Sequence, residues 1–394
     1  MISKKMQAML SKGSAIRAMF EEGKRLSALY GAENVYDFSL GNPNTPTPEK
    51  VKEAIIEVLE GDSVSIHGYM LNAGYPEVRQ AVAENINKRY GANLSYENVV
   101  MTVGAAGGLN VTLKVLLDEG DEVIIIAPYF GEYLRYIDNF GGKAVIVPPN
   151  PPTFLPNITA FENAITSRTK AVIINTPNNP TGVVYDDETL KAMAEVLERK
   201  EKEYGNAIYL ISDEPYREIL FEDAVHCYIP HYYKNTIVGY SYSKSLSLPG
   251  ERIGYLIIPS CLDSFADFIK ASGDATRTLG FVNAPSLMQK VVALCLDEKT
   301  NVDFYAKNRH DIYTALTEMG YHCTKPQGAF YIWCKALEDD DKAFCERAKQ
   351  FNILVVPGTS FGCKGWFRLA YCVSNQTIQN SLPAFQKLID SYKK

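Results

Sequence analysis

The chain has 394 residues, of which 46% are hydrophobic and 22% are charged, and its formal net charge is −6. A chain of this length is expected to fold as two domains rather than one. The negative charge argues against nucleic acid or an anionic membrane surface as the main partner. No apolar stretch approaches the roughly 20 residues needed to span a bilayer, so no membrane segment is expected.

The cysteines and the N-terminal residues bear on the cellular compartment. Eight cysteines and five histidines are scattered without a Cys-x-x-Cys pair or a ligand-spaced cluster. We therefore expect reduced thiols and no metal site. The first 25 residues lack the apolar core of a secretory signal peptide, and Glu21 and Glu22 are unusual in a mitochondrial transit peptide. These features predict a cytoplasmic protein.

At the start of the chain, residues 1–35 predict one amphipathic helix that ends near Gly31. The following loop, residues 41–48, is rich in proline and is expected to be extended. It is either a linker into a helix at 49–60 or part of a binding site, because Gly41 lets the backbone approach a ligand closely. A further helix is expected to end near Tyr90.

Between about residues 98 and 258, short apolar runs alternate with segments of helical period. This alternation predicts a largely parallel sheet with helices on both faces. No Gly-x-Gly-x-x-Gly motif occurs, so a dinucleotide site has no support. The expected strands are 99–103, 122–127, 143–147, 171–175, 207–212, 236–240 and 254–258.

The last part of the chain predicts a smaller α+β domain. A helical region after Pro285 is expected to reach about Met319 and to bridge the two domains. Strands are expected at 329–333, 353–356 and 366–371, with helices at 341–350 and 376–392. We predict a large domain of residues 45–285, and a small domain with an N-terminal arm formed by residues 1–44 and 286–394.

One lysine lies directly after the sixth expected strand, in Ser241-Tyr242-Ser243-Lys244. A strand that ends in a lysine directs the amine to the carboxyl edge of the sheet, where open α/β folds bind ligands. Arg252 and the nearby hydroxyl groups suit a phosphate, because a guanidinium offers paired donors. An amine beside a phosphate site is what pyridoxal-phosphate chemistry requires. The alternative is a solvated lysine at a strand end.

Two other segments also follow expected strands. Gly104, Ala105 and Ala106 lie between a strand and a helix, where free N–H groups bind anions; the small residues are alternatively explained by tight packing. Phe130 follows the next strand and offers a flat face on which a pyridine ring can stack. The alternative for Phe130 is an ordinary core aromatic.

Polar residues end two more strands. The run Asn-Asn-Pro-Thr-Gly at 178–182 has a stiffened backbone that holds its amides at the sheet edge. Asp213 ends a buried strand, where a carboxylate is costly unless a cation pairs with it. A protonated pyridine nitrogen is such a cation, and the alternative for Asp213 is a helix N-cap.

Together these segments resemble the class I/II aminotransferases, which are fold type I pyridoxal-phosphate enzymes. The resemblance runs from the Gly41 loop to Arg368. It is most specific in the motifs Ser-x-Ser-Lys…Gly-x-Arg-x-Gly and Asn-Asn-Pro-Thr-Gly. It implies an α/β fold with a mostly parallel seven-stranded sheet in a large domain and a smaller α+β domain.

The resemblance implies a role for each residue in the motifs. Lys244 binds the cofactor covalently and later moves a proton, and Asp213 holds the ring nitrogen. Arg368, with Gly41 beside it, binds the substrate α-carboxylate. The remaining cofactor contacts are Asn179 and Tyr216 on the ring oxygen, Phe130 on the ring face, Gly104, Ala105, Ala106, Ser241 and Arg252 around the phosphate, and Tyr69 on the phosphate of the other subunit.

The expected reaction is transfer of an amino group from an L-amino acid, with aspartate preferred, to a 2-oxo acid such as 2-oxoglutarate. The resemblance implies a homodimer with shared sites. Some relatives read the distal carboxylate of aspartate with a lysine where this chain has Ala106. Arg277 occupies a position comparable to that of an arginine which, in other aspartate-specific relatives, binds the distal carboxylate from the neighbouring subunit. The alternative is that Arg277 faces solvent. The alternatives are an aromatic or broad-range aminotransferase, a carbon–sulfur lyase and a non-catalytic cofactor-binding regulator.

Overall fold

The computed structural model describes residues 2–13 and 15–393. In this part of the chain the strands are β1 (Tyr36–Asp37), β2 (Val99–Thr102), β3 (Glu122–Ile126), β4 (Lys143–Val147), β5 (Thr169–Asn175), β6 (Tyr209–Asp213), β7 (Thr236–Ser241), β8 (Gly254–Ile257), β9 (Cys323–Thr324), β10 (Tyr331–Lys335), β11 (Ile353–Leu354), β12 (Val356–Pro357) and β13 (Trp366–Ala370).

The α-helices of the same residues are α1 (Lys4–Lys12), α2 (Ala15–Tyr30), α3 (Glu49–Leu59), α4 (Ser63–His67), α5 (Pro76–Tyr90), α6 (Gly104–Leu116), α7 (Glu132–Asn139), α8 (Ile158–Ala164), α9 (Asp187–Tyr204), α10 (Tyr242–Ser245), α11 (Phe265–Thr278), α12 (Ser286–Ala293), α13 (Val302–Met319), α14 (Asp341–Lys349) and α15 (Asn375–Asp390). None of these helices is long and apolar enough to cross a membrane.

Seven strands form the large sheet in the order β2-β8-β7-β6-β5-β3-β4. Strand β8 is antiparallel to both of its neighbours, and the other pairs are parallel. The predicted mostly parallel seven-stranded sheet is therefore confirmed, and every predicted strand of this sheet has its observed counterpart.

Side chains along β3 show why the sheet is buried on both faces. Val123 and Ile125 pack in a cluster with residues of α6, α7 and α11. Ile124 and Ile126 pack in another cluster with residues of α8 and α9. Since successive side chains of a strand point to opposite faces, an unbroken apolar run is what a sheet between two helical layers requires.

The strand register brings polar residues to one edge of this sheet. Asn175, the last residue of β5, pairs with Asp213, the last residue of β6. Ser241 at the end of β7 pairs with Gly254 at the start of β8, and Gly254 also pairs with Thr102 at the end of β2. The functional side chains predicted at strand ends therefore meet at one edge.

The second layer of strands is small and antiparallel, in the order β12-β13-β10-β9. Strand β1, from the N-terminal part of the chain, pairs with β11. Backbone bonds from Phe38 N to Leu354 O and from Ala370 N to Phe38 O join the same two parts of the chain. The predicted domain boundaries stay a prediction, and these contacts are what a small domain made from both chain ends requires.

Two predicted helices were wrong in extent. The helix expected over residues 1–35 is two helices, because α1 ends at Lys12 and the next residue, Gly13, has a φ of 57° that helix residues do not adopt. The helical region after Pro285 is also two helices, α12 and α13. The side chain of Asn301 accepts a hydrogen bond from Phe304 N and so starts α13 afresh.

Candidate active site

The carboxyl edge of β5, β6 and β7 opens into a cavity of about 270 Å³. Gly104 does not line it, although a Cβ there would lie 2.8 Å from Nη2 of Arg252, which does. Tyr69 and Arg277 do not line it. The predicted site residues that do are Gly41, Ala105, Ala106, Phe130, Asn179, Asp213, Tyr216, Ser241, Lys244, Arg252 and Arg368.

Lys244 is on the short helix α10, and its half-buried side chain lines this cavity. The Ser241 hydroxyl accepts a hydrogen bond from Ser243 N and caps that helix. The Lys244 amine donates to the Gly41 carbonyl oxygen over 2.7 Å. Burial lowers its pKa to about 8, and the positive charges of Arg368 and Arg252 act in the same direction. A lysine with a lowered pKa carries more neutral amine, which is the nucleophilic form.

Asp213 presents one unpaired oxygen to the same cavity. Its Oδ2 accepts a 2.5 Å hydrogen bond from the Tyr133 hydroxyl, whereas its Oδ1 is buried and has no hydrogen-bond partner among the described residues. Burial raises the pKa of this carboxyl to about 6. An unpaired buried carboxylate oxygen is costly until a cationic donor reaches it. The next residues form a turn and not a helix, so the N-cap alternative is wrong.

The N-terminus of α6 and Arg252 form a positively charged edge of the cavity. Arg252 is exposed and donates from Nη1 to Pro249 O over 2.9 Å, and its Nη2 approaches Gly104. Free N–H groups, a helix N-terminus and a guanidinium are together suited to an anion. The packing alternative applies to Gly107 and Gly108, since a Cβ at either would press on Val103 or Leu256 side chains. Close packing therefore explains the glycines at 107 and 108, and the anion-binding role of Gly104, Ala105 and Ala106 stays a prediction.

Arg368 on β13 is fully buried beside the cavity. It donates from Nη1 to Asn179 Oδ1 over 3.0 Å and from Nη2 to Ser39 O over 2.5 Å. Its guanidinium lies 4.6 Å from the centre of the Tyr331 ring. Its Nε has no hydrogen-bond partner, and no aspartate or glutamate of the described chain pairs with its guanidinium. A buried cation without an acidic partner is unfavourable unless an anionic ligand supplies the charge.

Three residues of the site were missed by the sequence analysis. Tyr133 lies in the first turn of α7, three residues after Phe130, and that proximity in sequence was its only signal. Asn175 donates to the Asp213 carbonyl oxygen over 2.8 Å and so holds two strand ends together. Tyr331 shares a 2.8 Å hydrogen bond with the Tyr216 hydroxyl, and a Cβ on Gly41 would overlap the Tyr331 hydroxyl. Close packing against Tyr331 therefore explains the glycine at position 41.

Tyr69 and Arg277 lie on the surface away from the cavity. Tyr69 is 91% exposed. Arg277 is exposed and is 3.7 Å from Asp274 in an ion pair on the same helix. The Asn72 side chain donates to Val282 O, which joins the segment of Tyr69 to the segment after α11. The roles predicted for both residues require a second chain.

Comparison with known proteins identifies the family. Residues 33–385 match the family model of aminotransferases of class I and II. The chain belongs to this family. It is therefore an aminotransferase and an enzyme. Aminotransferases of class I and II are generally dependent on pyridoxal phosphate.

Individual aminotransferases are similar over almost the whole chain. The aspartate aminotransferase of Pyrococcus horikoshii is 31% identical over 98% of this chain and 97% of that protein. A crystal structure of an aminotransferase from Eubacterium rectale is 46% identical, with a TM-score of 0.97, and covers 100% of this chain and 99% of that one. The aspartate aminotransferase of Thermus thermophilus with maleate is 30% identical, with a TM-score of 0.87, over 98% and 99% of the two chains.

Proposed function

We propose that the enzyme transfers the amino group of L-aspartate to a 2-oxo acid such as 2-oxoglutarate, with pyridoxal phosphate held in the cavity. The observation that carries the proposal is the unpaired Oδ1 of buried Asp213, which faces the same cavity as the Lys244 amine. The pyridinium N–H of the cofactor is the cationic donor that this oxygen lacks. When bound, pyridoxal phosphate supplies an electron sink for the negative charge that develops at the substrate Cα.

In this proposal Lys244 holds the cofactor and then moves the proton at the substrate Cα. Its pKa of about 8 supports the second role, because a general base works best when its pKa is near the working pH. Asp213 keeps the ring nitrogen protonated. The other cofactor contacts are Asn179 and Tyr216 on the ring oxygen, Phe130 on the ring face, and Gly104, Ala105, Ala106, Ser241 and Arg252 on the phosphate.

Arg368 is proposed to bind the substrate α-carboxylate next to Gly41. Its guanidinium is buried, its Nε is unpaired and no described carboxylate neutralises it. The α-carboxylate of the substrate would neutralise this charge and accept hydrogen bonds from the guanidinium, because arginine and carboxylate form charge-assisted paired hydrogen bonds.

The proposed preference for aspartate as amino donor rests on the names of related proteins and on the ligand of a related structure. Proteins named aspartate aminotransferase from Pyrococcus horikoshii and Thermotoga maritima match nearly the whole chain at 31% and 30% identity. The related Thermus structure was solved with maleate, a dicarboxylate. An aromatic or broad-range aminotransferase remains the second candidate, because Ala106 offers no charge for a distal carboxylate.

A panel of single-turnover reactions tests the proposal. The cofactor-loaded enzyme is mixed separately with L-aspartate, L-glutamate, L-phenylalanine, L-alanine and L-cystathionine, and the cofactor absorbance is followed. We expect the largest kcat/KM with L-aspartate, with oxaloacetate as product. Faster reaction with L-phenylalanine would favour the aromatic alternative, and release of pyruvate and ammonia from L-cystathionine would favour a carbon–sulfur lyase.

Arg277→Ala tests whether Arg277 binds the distal carboxylate of the substrate. A charge-assisted pair is worth about 1.5–3 kcal/mol, so kcat/KM for L-aspartate should fall about 10- to 150-fold while L-alanine is unaffected. The matched control is Lys270→Ala, which removes another exposed charge from the same helix and should change neither value. Equal losses on both substrates would contradict the role of Arg277.

We also propose a homodimer in which Tyr69 serves the partner's site. The support is a set of exposed large apolar side chains, Val64, Tyr69, Leu71, Phe281 and Val282, and the Asn72 hydrogen bond to Val282 O joins the segment of Tyr69 and Leu71 to that of Phe281 and Val282. Contiguous apolar side chains on a surface are typical of an interface. The eight cysteines, all of them free thiols, support a cytoplasmic location for this dimer.

Hybrid dimers test the shared site. When inactive Lys244→Ala chains are mixed with inactive Tyr69→Ala chains, each hybrid contains one site with both lesions and one with neither. Random reassortment should then restore about a quarter of the wild-type activity. Mixing Lys244→Ala with Asp213→Asn is the control and should restore none, because both lesions belong to one chain's site. No recovery in the first mixture, with hybrids confirmed, would disprove sharing through Tyr69.

A further inference from the structure

Two cysteines face each other at the edge of the small sheet. Cys323 on β9 and Cys334 on β10 are direct partners in the antiparallel register, and their Sγ atoms are in direct contact. Both are free thiols. They lie outside the cavity described above and take no part in the proposed reaction.

The strand register places this pair at a position that suits a disulfide. A backbone hydrogen bond of 2.8 Å from Lys335 N to His322 O marks the neighbouring pair as hydrogen-bonded. Hydrogen-bonded and non-hydrogen-bonded pairs alternate along an antiparallel ladder, so Cys323 and Cys334 form a non-hydrogen-bonded pair. In such pairs the Cα atoms are only about 4.5 Å apart, which is within the range that a disulfide spans.

The two thiols differ in access to solvent. Cys334 is buried in the small-domain core, and burial raises the pKa of its thiol well above the usual range. Cys323 is half-buried on an edge strand. A dissolved oxidant would therefore meet Cys323 first, with Cys334 behind it as the second thiol.

We propose that Cys323 and Cys334 are a reversible dithiol–disulfide site that a low-molecular-weight disulfide such as oxidised glutathione oxidises. The Cys323 thiolate attacks one sulfur of the small disulfide, and its other half leaves as a thiol. The Cys334 thiol then attacks Cys323 Sγ, and the second small thiolate leaves and takes up the proton of Cys334. Two protein thiols are oxidised and one small disulfide is reduced to two thiols.

The cross-link would fasten a weakly attached strand. Strand β9 has two residue pairs with β10. The chain after it reaches Gln327 and Gly328, whose N–H groups donate to the carbonyl oxygen of Gly182. That carbonyl belongs to the loop that carries Asn179. Oxidation should therefore stabilise the fold, with a Tm higher by a few degrees in the oxidised protein.

Peptide mapping of the wild-type protein tests the proposal. The protein is incubated with oxidised glutathione and then denatured, its remaining thiols are blocked with N-ethylmaleimide, and it is digested with trypsin. Because trypsin does not cut before Pro326, both cysteines lie in one peptide, residues 310–335. We expect this peptide to be unlabelled and two hydrogens lighter than the reduced form, and we expect dithiothreitol to restore labelling at both positions.

The half-buried Cys227 provides the control. A Cys227→Ser protein should form the same unlabelled peptide, whereas Cys323→Ser should leave Cys334 open to labelling after denaturation. Labelling of both Cys323 and Cys334 in oxidised wild-type protein would overturn the proposal. So would a stable mixed disulfide of glutathione on Cys323 beside a free Cys334. Both readings come from the wild-type chain, so they stand even if a variant folds poorly.

Discussion

Replacing Lys244 by alanine is expected to lower kcat by about 10²- to 10⁴-fold or more, because the group that moves the Cα proton is lost. The protein should still bind some pyridoxal phosphate, since Asp213 and the positively charged edge at Arg252 remain. Single-turnover kinetics with L-aspartate measure the rate, and reduction with borohydride followed by peptide mapping locates the cofactor. In the wild-type protein the reduced cofactor should be found on Lys244.

Lys234→Ala is the matched control for this experiment. Lys234 precedes the same strand, β7, at its other end and forms a surface ion pair with Asp263. Its loss should leave both cofactor attachment and turnover unchanged. Attachment of the reduced cofactor to any lysine other than Lys244 would contradict the assignment.

The pKa of Lys244 also predicts a pH dependence of cofactor loading. Burial disfavours the charged amine and lowers its pKa to about 8, so the neutral, reactive fraction rises with pH and levels off just above that value. An ordinary lysine would continue to gain reactivity up to a pH of roughly 10.4. The rate at which cofactor-free protein incorporates pyridoxal phosphate, trapped with borohydride over a range of pH, measures the difference.

Asp213→Asn is expected to reduce the rate of the half-reaction by about 10²- to 10³-fold, which is typical when one preorganised electrostatic contact is lost. An amide is neutral and cannot keep the ring nitrogen protonated, so the cofactor becomes a poorer electron sink. The affinity for the cofactor should fall by less, because the phosphate contacts and Lys244 are unchanged. Titration with pyridoxal phosphate and single-turnover kinetics separate the two effects.

Tyr133→Phe is the control that keeps the charge of Asp213. It removes the hydrogen bond to Oδ2 and leaves the carboxylate in place, so its rate should lie between those of Asp213→Asn and the wild type. A half-reaction of near wild-type rate in Asp213→Asn would refute the role proposed for Asp213.

Much of the fold and the centre of the candidate site could be predicted from sequence. The seven strands of the large sheet are short apolar runs, and such runs are local patterns whose meaning does not depend on distant residues. Asp213 and Lys244 could be placed as well, because Asp213 ends a strand, Lys244 follows one, and the carboxyl ends of parallel strands lie at one edge of the sheet. The helix breaks at Gly13 and before Asn301 were missed, since periodicity continues across a short interruption.

By itself, the sequence determined the strands of the large sheet and brought Asp213 and Lys244 to its carboxyl edge, because the hydrophobic pattern of a strand lies in adjacent residues. Only the tertiary structure decided what those residues touch there. It placed the Tyr133 hydroxyl on Asp213, the Tyr331 hydroxyl on Tyr216, and Arg368 in a buried site with no acidic partner. These contacts join segments far apart in the chain, and packing between the two layers of strands decides them rather than any local pattern.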